Sequence, residues 1–204
     1  ALKEQGNLEE AIEALKKAIL LNPDNADAHN NIGAALKAQG KLEEAIEAYN
    51  NVLSLKPDNA EAYFNIGNAF KDQGKMNQSI EAYKNALSLK PDYAEAHNNM
   101  GTVFQDQGKL EEAIEAYGEA LSIKPDYVGT LENLLEILKM ASSKNSRGHQ
   151  VINIDNQTKN ICKKIKIKNS DESIRDTIST ALDFLSANHF TYMTKFSQIY
   201  KRNS

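Results

Sequence analysis

The sequence predicts an all-α fold built from stacked helical hairpins, on three observations. The first is a fixed period. Pro23, Pro57, Pro91 and Pro125 stand 34 residues apart, as do Gly6, Gly40, Gly74 and Gly108; Gly33, Gly67 and Gly101, and Tyr49, Tyr83 and Tyr117, keep the same step. Self-similarity at such a period marks units that bury their apolar faces only by stacking on one another. The second is helical spacing inside each period: His29, Ile32, Gly33 and Leu36 fall at i, i+3, i+4 and i+7. The third is punctuation, with glycine after one helical stripe and Lys-Pro-Asp after the next.

Taken in order, the chain opens on a partial unit, 1–25. Leu2 is the one apolar anchor ahead of Gly6, and Leu8, Ala11, Leu15 and Ala18 are predicted to face inward from a helix over 8–21. With no polar cap and no initiator Met, the array is expected to be longer at its front. Full units follow at 26–59, 60–93 and 94–127. In the first, Gln39-Gly40 ends one helix because glycine takes the left-handed conformation of a C-cap. Leu42, Ala45, Tyr49, Val52 and Leu53 make the second stripe, opened by Glu43 and Glu44 at the positive end of the helix dipole. Lys56-Pro57 stops that helix, and Asp58-Asn59 offers capping oxygens to the next. The small residues Gly33 and Ala45 allow the two helices to approach closely.

Val128 to Ala141 is predicted as a capping helix that completes an array spanning 1–141, with Leu131, Leu134, Leu135 and Leu138 at the apolar offsets. Ser142 to Gln150 has no apolar residue and reads as a linker. Residues 151–204 form a basic tail or the start of a further domain. Within it Ser170 to Leu185 has a capped helical pattern, and Phe190, Met193, Phe196 and Tyr200 suggest another helix. Residues 1–141 carry net charge −10 and 142–204 carry +6, so two differently charged parts share one chain.

The unit resembles a tetratricopeptide repeat. Repeat 60–93 carries the likeness best, with Tyr63, Ile66, Gly67, Phe70, Ser79, Tyr83, Ala86 and Pro91. Repeat 94–127 matches with His97, Met100, Gly101, Phe104, Ala113, Tyr117, Ala120 and Pro125. Two departures stand out: the usual Trp is His29, Tyr63 or His97, and Ser79 replaces a packing Ala. The resemblance covers about two-thirds of the chain. It implies a right-handed superhelical solenoid with a concave groove lined by the first helix of each unit.

Composition narrows the function classes. Of the 204 residues 41% are hydrophobic, which suits the thin core of a stacked array. The single cysteine, Cys162, permits no internal disulfide, and no apolar run approaches the roughly 20 residues of a membrane span, so a cytoplasmic setting is expected. The sequons at Asn77 and Asn156 are read as chance. No catalytic set emerges, and no cofactor or metal is expected. His29 and His97 hold a packing offset, while His149 and His189 lack ligand-spaced partners. Gly33 and Gly40-Lys41 imitate a phosphate loop, but six residues separate the glycines and Leu42 stands where a hydroxyl is required. Cys162 beside Lys163 and Lys164 reads as an ordinary thiol, and the lysines up to Lys168 as a solvated charge run.

Offsets 2, 6, 9 and 13 project about half a turn from the packing stripe. By the resemblance they line the groove, reading Asp27, Asn31, Ala34 and Ala38; Glu61, Asn65, Asn68 and Asp72; Glu95, Asn99, Thr102 and Asp106. Offset 5 adds Asn30, Phe64 and Asn98. An asparagine amide both donates and accepts, so Asn31, Asn65 and Asn99 can pair with a peptide's own amides. Adjacent first helices about 10 Å apart match about three residues of extended chain, giving one clamp per three residues. The column resembles the asparagine ladder of O-linked N-acetylglucosamine transferases. A carboxylate clamp of the chaperone-binding kind is disfavoured, because Asp27, Glu61 and Glu95 hold the matching offsets and the array has no arginine.

The expected function is a protein–protein interaction scaffold that takes an extended peptide in the groove, without catalysis of its own. The rival is a regulatory or substrate-recruiting module of a transferase whose catalytic domain lies beyond residue 204. A protein or peptide is the expected partner, with self-association through exposed array ends as a further expectation. Membrane binding is not expected, and nucleic acid is disfavoured because the basic tail lacks interleaved aromatics.

Overall fold

The computed structural model describes residues 2–145 apart from Pro125. Among the described residues there are helices and no strand: α1 (Leu2–Leu21), α2 (Ala26–Ala38), α3 (Leu42–Leu55), α4 (Ala60–Asp72), α5 (Met76–Leu89), α6 (Ala94–Asp106), α7 (Leu110–Ile123) and α8 (Val128–Asn145). The chain divides into two compact units between Ala96 and His97, and each is described by itself. The expectations for 146–204, including both tail helices, lie outside the described residues.

In the first unit α2 and α3 form one hairpin and α4 and α5 the next. Each first helix ends in a Schellman turn. The Gly40 N–H donates to the Lys37 carbonyl and the Lys41 N–H to the Leu36 carbonyl, both at 2.9 Å. This turn needs positive φ, and Gly40 and Gly74 supply it at +77° and +73°. At the other end the Asn25 and Asn59 side chains accept from the Ala28 and Ala62 N–H groups at 3.0 and 2.9 Å. The hairpin closes on an aromatic ring. A Cβ at Gly33 would stand 2.5 Å from Tyr49 Cε1, and one at Gly67 the same distance from Tyr83 Cε1. Tyr49 and Tyr83 are 1% and 0% exposed, so each ring fills the space that the glycine vacates. Ile12, Ile32, Leu36, Ala45, Tyr49 and Ile66 build one continuous core across α1 to α4.

The structure corrects the partial unit in two respects. α1 runs unbroken through Gly6 instead of turning there. Glycine at this offset does not by itself force a turn, since a helix tolerates it at a cost of about 1 kcal/mol relative to alanine. The buried stripe of α1 is also rotated: Ile12 is buried and Leu8, Leu15 and Ile19 pack beside it, while Ala11 is exposed. In the next unit Ala45, at the same offset, is fully buried in its own hairpin. Ala11 is turned to the opposite side, and the face of α1 that meets α2 is the one turned inward. Ser79, the departure from the packing alanine, is fully buried and donates its hydroxyl to the Gly67 carbonyl at 2.8 Å. The polar atom is thereby satisfied.

In the second unit Gly108 turns at φ +72°, the Lys109 N–H donates to the Phe104 carbonyl at 2.9 Å, and a Cβ at Gly101 would meet the Tyr117 ring at 2.7 Å. Leu131, Leu134 and Ile137 of α8 pack with Leu110, Ile114, Tyr117 and Leu121. Ile137 belongs to this core although the apolar offsets omit it. The side chains of Leu135 and Leu138 lie outside the described residues. α8 continues to Asn145, one turn beyond the expected end at Ala141. Ser142 to Asn145 contains neither Gly nor Pro, so nothing stops a helix already nucleated.

Candidate functional site

The residues that could meet a partner stand on the first helices, opposite the packing stripe. In the first unit Asn31 is exposed at its offset on α2, whereas Asn65 on α4 is half-buried and already engaged. Its amide nitrogen donates to Asn30 Oδ1 at 3.1 Å, and Asn30 Nδ2 in turn points to Glu61 Oε1 at 3.5 Å. Asn30, Asn65 and Glu61 therefore form one polar rail between neighbouring first helices. Lys37 and Asp72 tie the same two helices at 2.9 Å further along. Asn68 has an inward duty as well, accepting the buried Tyr83 hydroxyl at 2.7 Å. Sequence reasoning reads these amides as open to a peptide; the structure brings Asn30, Asn65 and Glu61 together and turns Asn68 toward its own hairpin.

Phe64 interrupts the amides. Its ring lies 4.8 Å from that of Tyr93 and 5.9 Å from that of Tyr83, centroid to centroid. Tyr93 stands where Asn25 and Asn59 cap their helices, and the Lys90 ammonium lies 4.5 Å from its ring centroid. Tyr93 titrates at about 12, raised first by burial and then by Glu61 and Glu95. Tyr49 is likewise raised to about 12 by burial and by Glu61. Sequence reasoning missed Tyr93. The signal was there: Phe64 stands at the offset of Asn30 and Asn98, and Tyr93 at that of Asn25 and Asn59.

In the second unit Asn98 donates to Asn99 Oδ1 at 3.1 Å and accepts the fully buried Thr130 hydroxyl at 2.8 Å. Thr130 is a second omission. It shares the inward side of α8 with Leu131, Leu134 and Ile137, and its hydroxyl fixes the Asn98 amide. The Tyr117 hydroxyl donates to Gln105 Oε1 at 2.8 Å and lies 3.3 Å from Thr102 Oγ1, and burial is the main cause that raises its pKa. His29 donates from Nε2 to the Pro23 carbonyl at 3.2 Å, a structural task. Among the described residues no three His, Cys, Asp or Glu side chains gather as metal ligands, and no helix is long and apolar enough to cross a membrane.

Comparison with known proteins follows the repeats. Family models described as TPR repeat match residues 1–40, 33–74 and 67–108, and one described as tetratricopeptide repeat matches 94–127. No curated protein matches the chain. Among solved structures, that of MamA is 26% identical, with a TM-score of 0.63 over 80% of this chain and 89% of its own. MamA 41-end from Desulfovibrio magneticus RS-1 is 19% identical, at 0.61 over 82% and 90%. The first TPR of Spaghetti (RPAP3), solved bound to the HSP90 peptide SRMEEVD, is 25% identical, at 0.55 over 56% of this chain and 91% of its own.

Proposed function

The chain belongs to the tetratricopeptide repeat family, a protein-interaction scaffold and not a catalyst, and on that premise we propose that it holds an extended peptide along the first-helix face of its repeats. The observation that carries this reading is the polar rail of the first unit. Asn30 and Asn65 join adjacent first helices at 3.1 Å and hold their amides at a fixed spacing, with exposed Asn31 beside them. Fixed amides favour binding because little side-chain entropy is then lost on association. The peptide pairs its backbone with Asn31 and with the remaining acceptor of Asn65, while the Asn30–Asn65 bond keeps the spacing. In the second unit Asn98 and Asn99, fixed by Thr130, play the corresponding part.

The RPAP3 repeat domain is bound to a peptide ending in Glu-Glu-Val-Asp. Asp27, Glu61 and Glu95 give this chain's first helices the opposite preference, so acidic tails of that kind are expected to bind poorly. The test is to probe the full chain with an arrayed random-peptide library and titrate the enriched peptides. Asn31→Ala is expected to weaken binding several-fold, since a lost amide pair contributes about 1 kcal/mol, and to leave the melting midpoint in place. Enriched peptides that bind the Asn31→Ala, Asn65→Ala and Asn99→Ala variants as tightly as the parent would overturn the groove reading.

A further inference from the structure

The repeats of the first unit are not equivalent, and the difference gathers at one place. Phe64 takes the offset of Asn30, and Tyr93 takes the offset of the capping residues Asn25 and Asn59. Exchanging an asparagine cap for a tyrosine forfeits a side-chain cap. What the exchange supplies instead is a pair of half-buried rings in offset contact, 4.8 Å between centroids and 35° between planes. Glu61 lies one helical turn before Phe64, and Glu95 lies two residues after Tyr93. Both carboxylates reach the Tyr93 hydroxyl electrostatically and help keep it protonated.

Lys90 stands 4.5 Å from the Tyr93 ring centroid, and Lys124 stands 4.9 Å from that of Tyr127 after an identical Lys-Pro-Asp. The lysine contact therefore belongs to the loop. What sets this place apart is Phe64 together with its flanking carboxylates. Resting on the groove reading above, we propose that Glu61, Phe64, Tyr93 and Glu95 form a subsite for an arginine side chain of the bound peptide. A planar guanidinium stacks on an aromatic face and donates sideways to carboxylates in one geometry, which the compact ammonium of lysine does less well. Glu61 also receives Asn30 Nδ2 at 3.5 Å, which links the subsite to the amide rail. The rail would hold the peptide backbone while the ring pair reads one side chain.

The experiment uses the full chain and the same arrayed library. The enriched peptides are expected to share an arginine at one position. Replacing it with citrulline, which keeps the shape and loses the charge, is expected to weaken binding about tenfold, and lysine should fall between the two. Phe64→Asn, which restores the residue of the neighbouring repeats, should erase the preference for arginine over citrulline. So should the paired change Glu61→Gln and Glu95→Gln, which keeps the size of both side chains and removes their charge, should Phe64→Asn disturb the fold. In the parent that preference should shrink as salt rises. Enriched peptides with no shared basic residue, or equal binding of the arginine and citrulline forms, would overturn the subsite and leave the groove standing. A library from which nothing is enriched would overturn both.

Discussion

At Gly33, Gly67 and Gly101 an added Cβ would stand between 2.5 and 2.7 Å from the ring of a tyrosine later in the same repeat. Those tyrosines are at most 1% exposed, so neither partner has room to retreat. Gly67→Ala should therefore destabilise the first unit by about 1–3 kcal/mol through overpacking, measured by urea melting. Combined with Tyr83→Leu it should cost less than the sum of the single changes, because the shorter side chain relieves the clash. The amides separate by the same reasoning. Asn65→Ala breaks the bond to Asn30 and should cost about 1 kcal/mol, whereas exposed Asn31→Ala should stay within about 0.5 kcal/mol of the parent. The period makes both glycine and tyrosine visible in the sequence. That the tyrosine ring, beyond the small Ala45, is what the glycine makes room for depends on a ring orientation that no spacing encodes. The inward turn of Asn68 toward Tyr83 was hidden for the same reason.

At the scale of the helix, glycines that share an offset do different work. Gly40, Gly74 and Gly108 adopt φ between +72° and +77°, while Gly6 lies within α1. Gly74→Ala places a Cβ in the left-handed region and should cost about 1–2 kcal/mol. Gly6→Ala should stabilise α1, by up to about 1 kcal/mol, since alanine is the better helix former. Opposite signs in thermal melts of the two variants check the continuous helix; a loss at Gly6 would mean that α1 turns there after all. Helix positions in the full repeats were legible because proline, glycine and the capping asparagines agree at every boundary. The ends were less so. Ala11 shares the offset of buried Ala45 and is nevertheless exposed, and α8 passes Ala141 because a polar run without a breaker can continue a helix.

Over the whole molecule, alkaline stability should reflect the buried phenols. Tyr49 and Tyr93 are raised from 10.0 to about 12, so the folded form keeps protons that the unfolded chain has released. Their contribution is complete below pH 10.0 and is lost as pH climbs through about 12. Melting midpoints should fall steeply across that window, and Tyr49→Phe should flatten the slope. The candidate groove is legible as a set of offsets, at which its asparagines look alike. The structure divides them by what each already bonds, and such bonds depend on distances between helices. The buried tyrosines have one more consequence. The chain has no tryptophan, and Tyr49, Tyr83 and Tyr117 stand one to a repeat. Each hairpin thus carries one fully buried ultraviolet chromophore, shielded from water while that hairpin is closed. Five further tyrosines absorb elsewhere in the chain, so the difference between the parent and each single Tyr→Phe variant isolates one hairpin's signal, and the order in which the repeats open can be followed optically with no label attached.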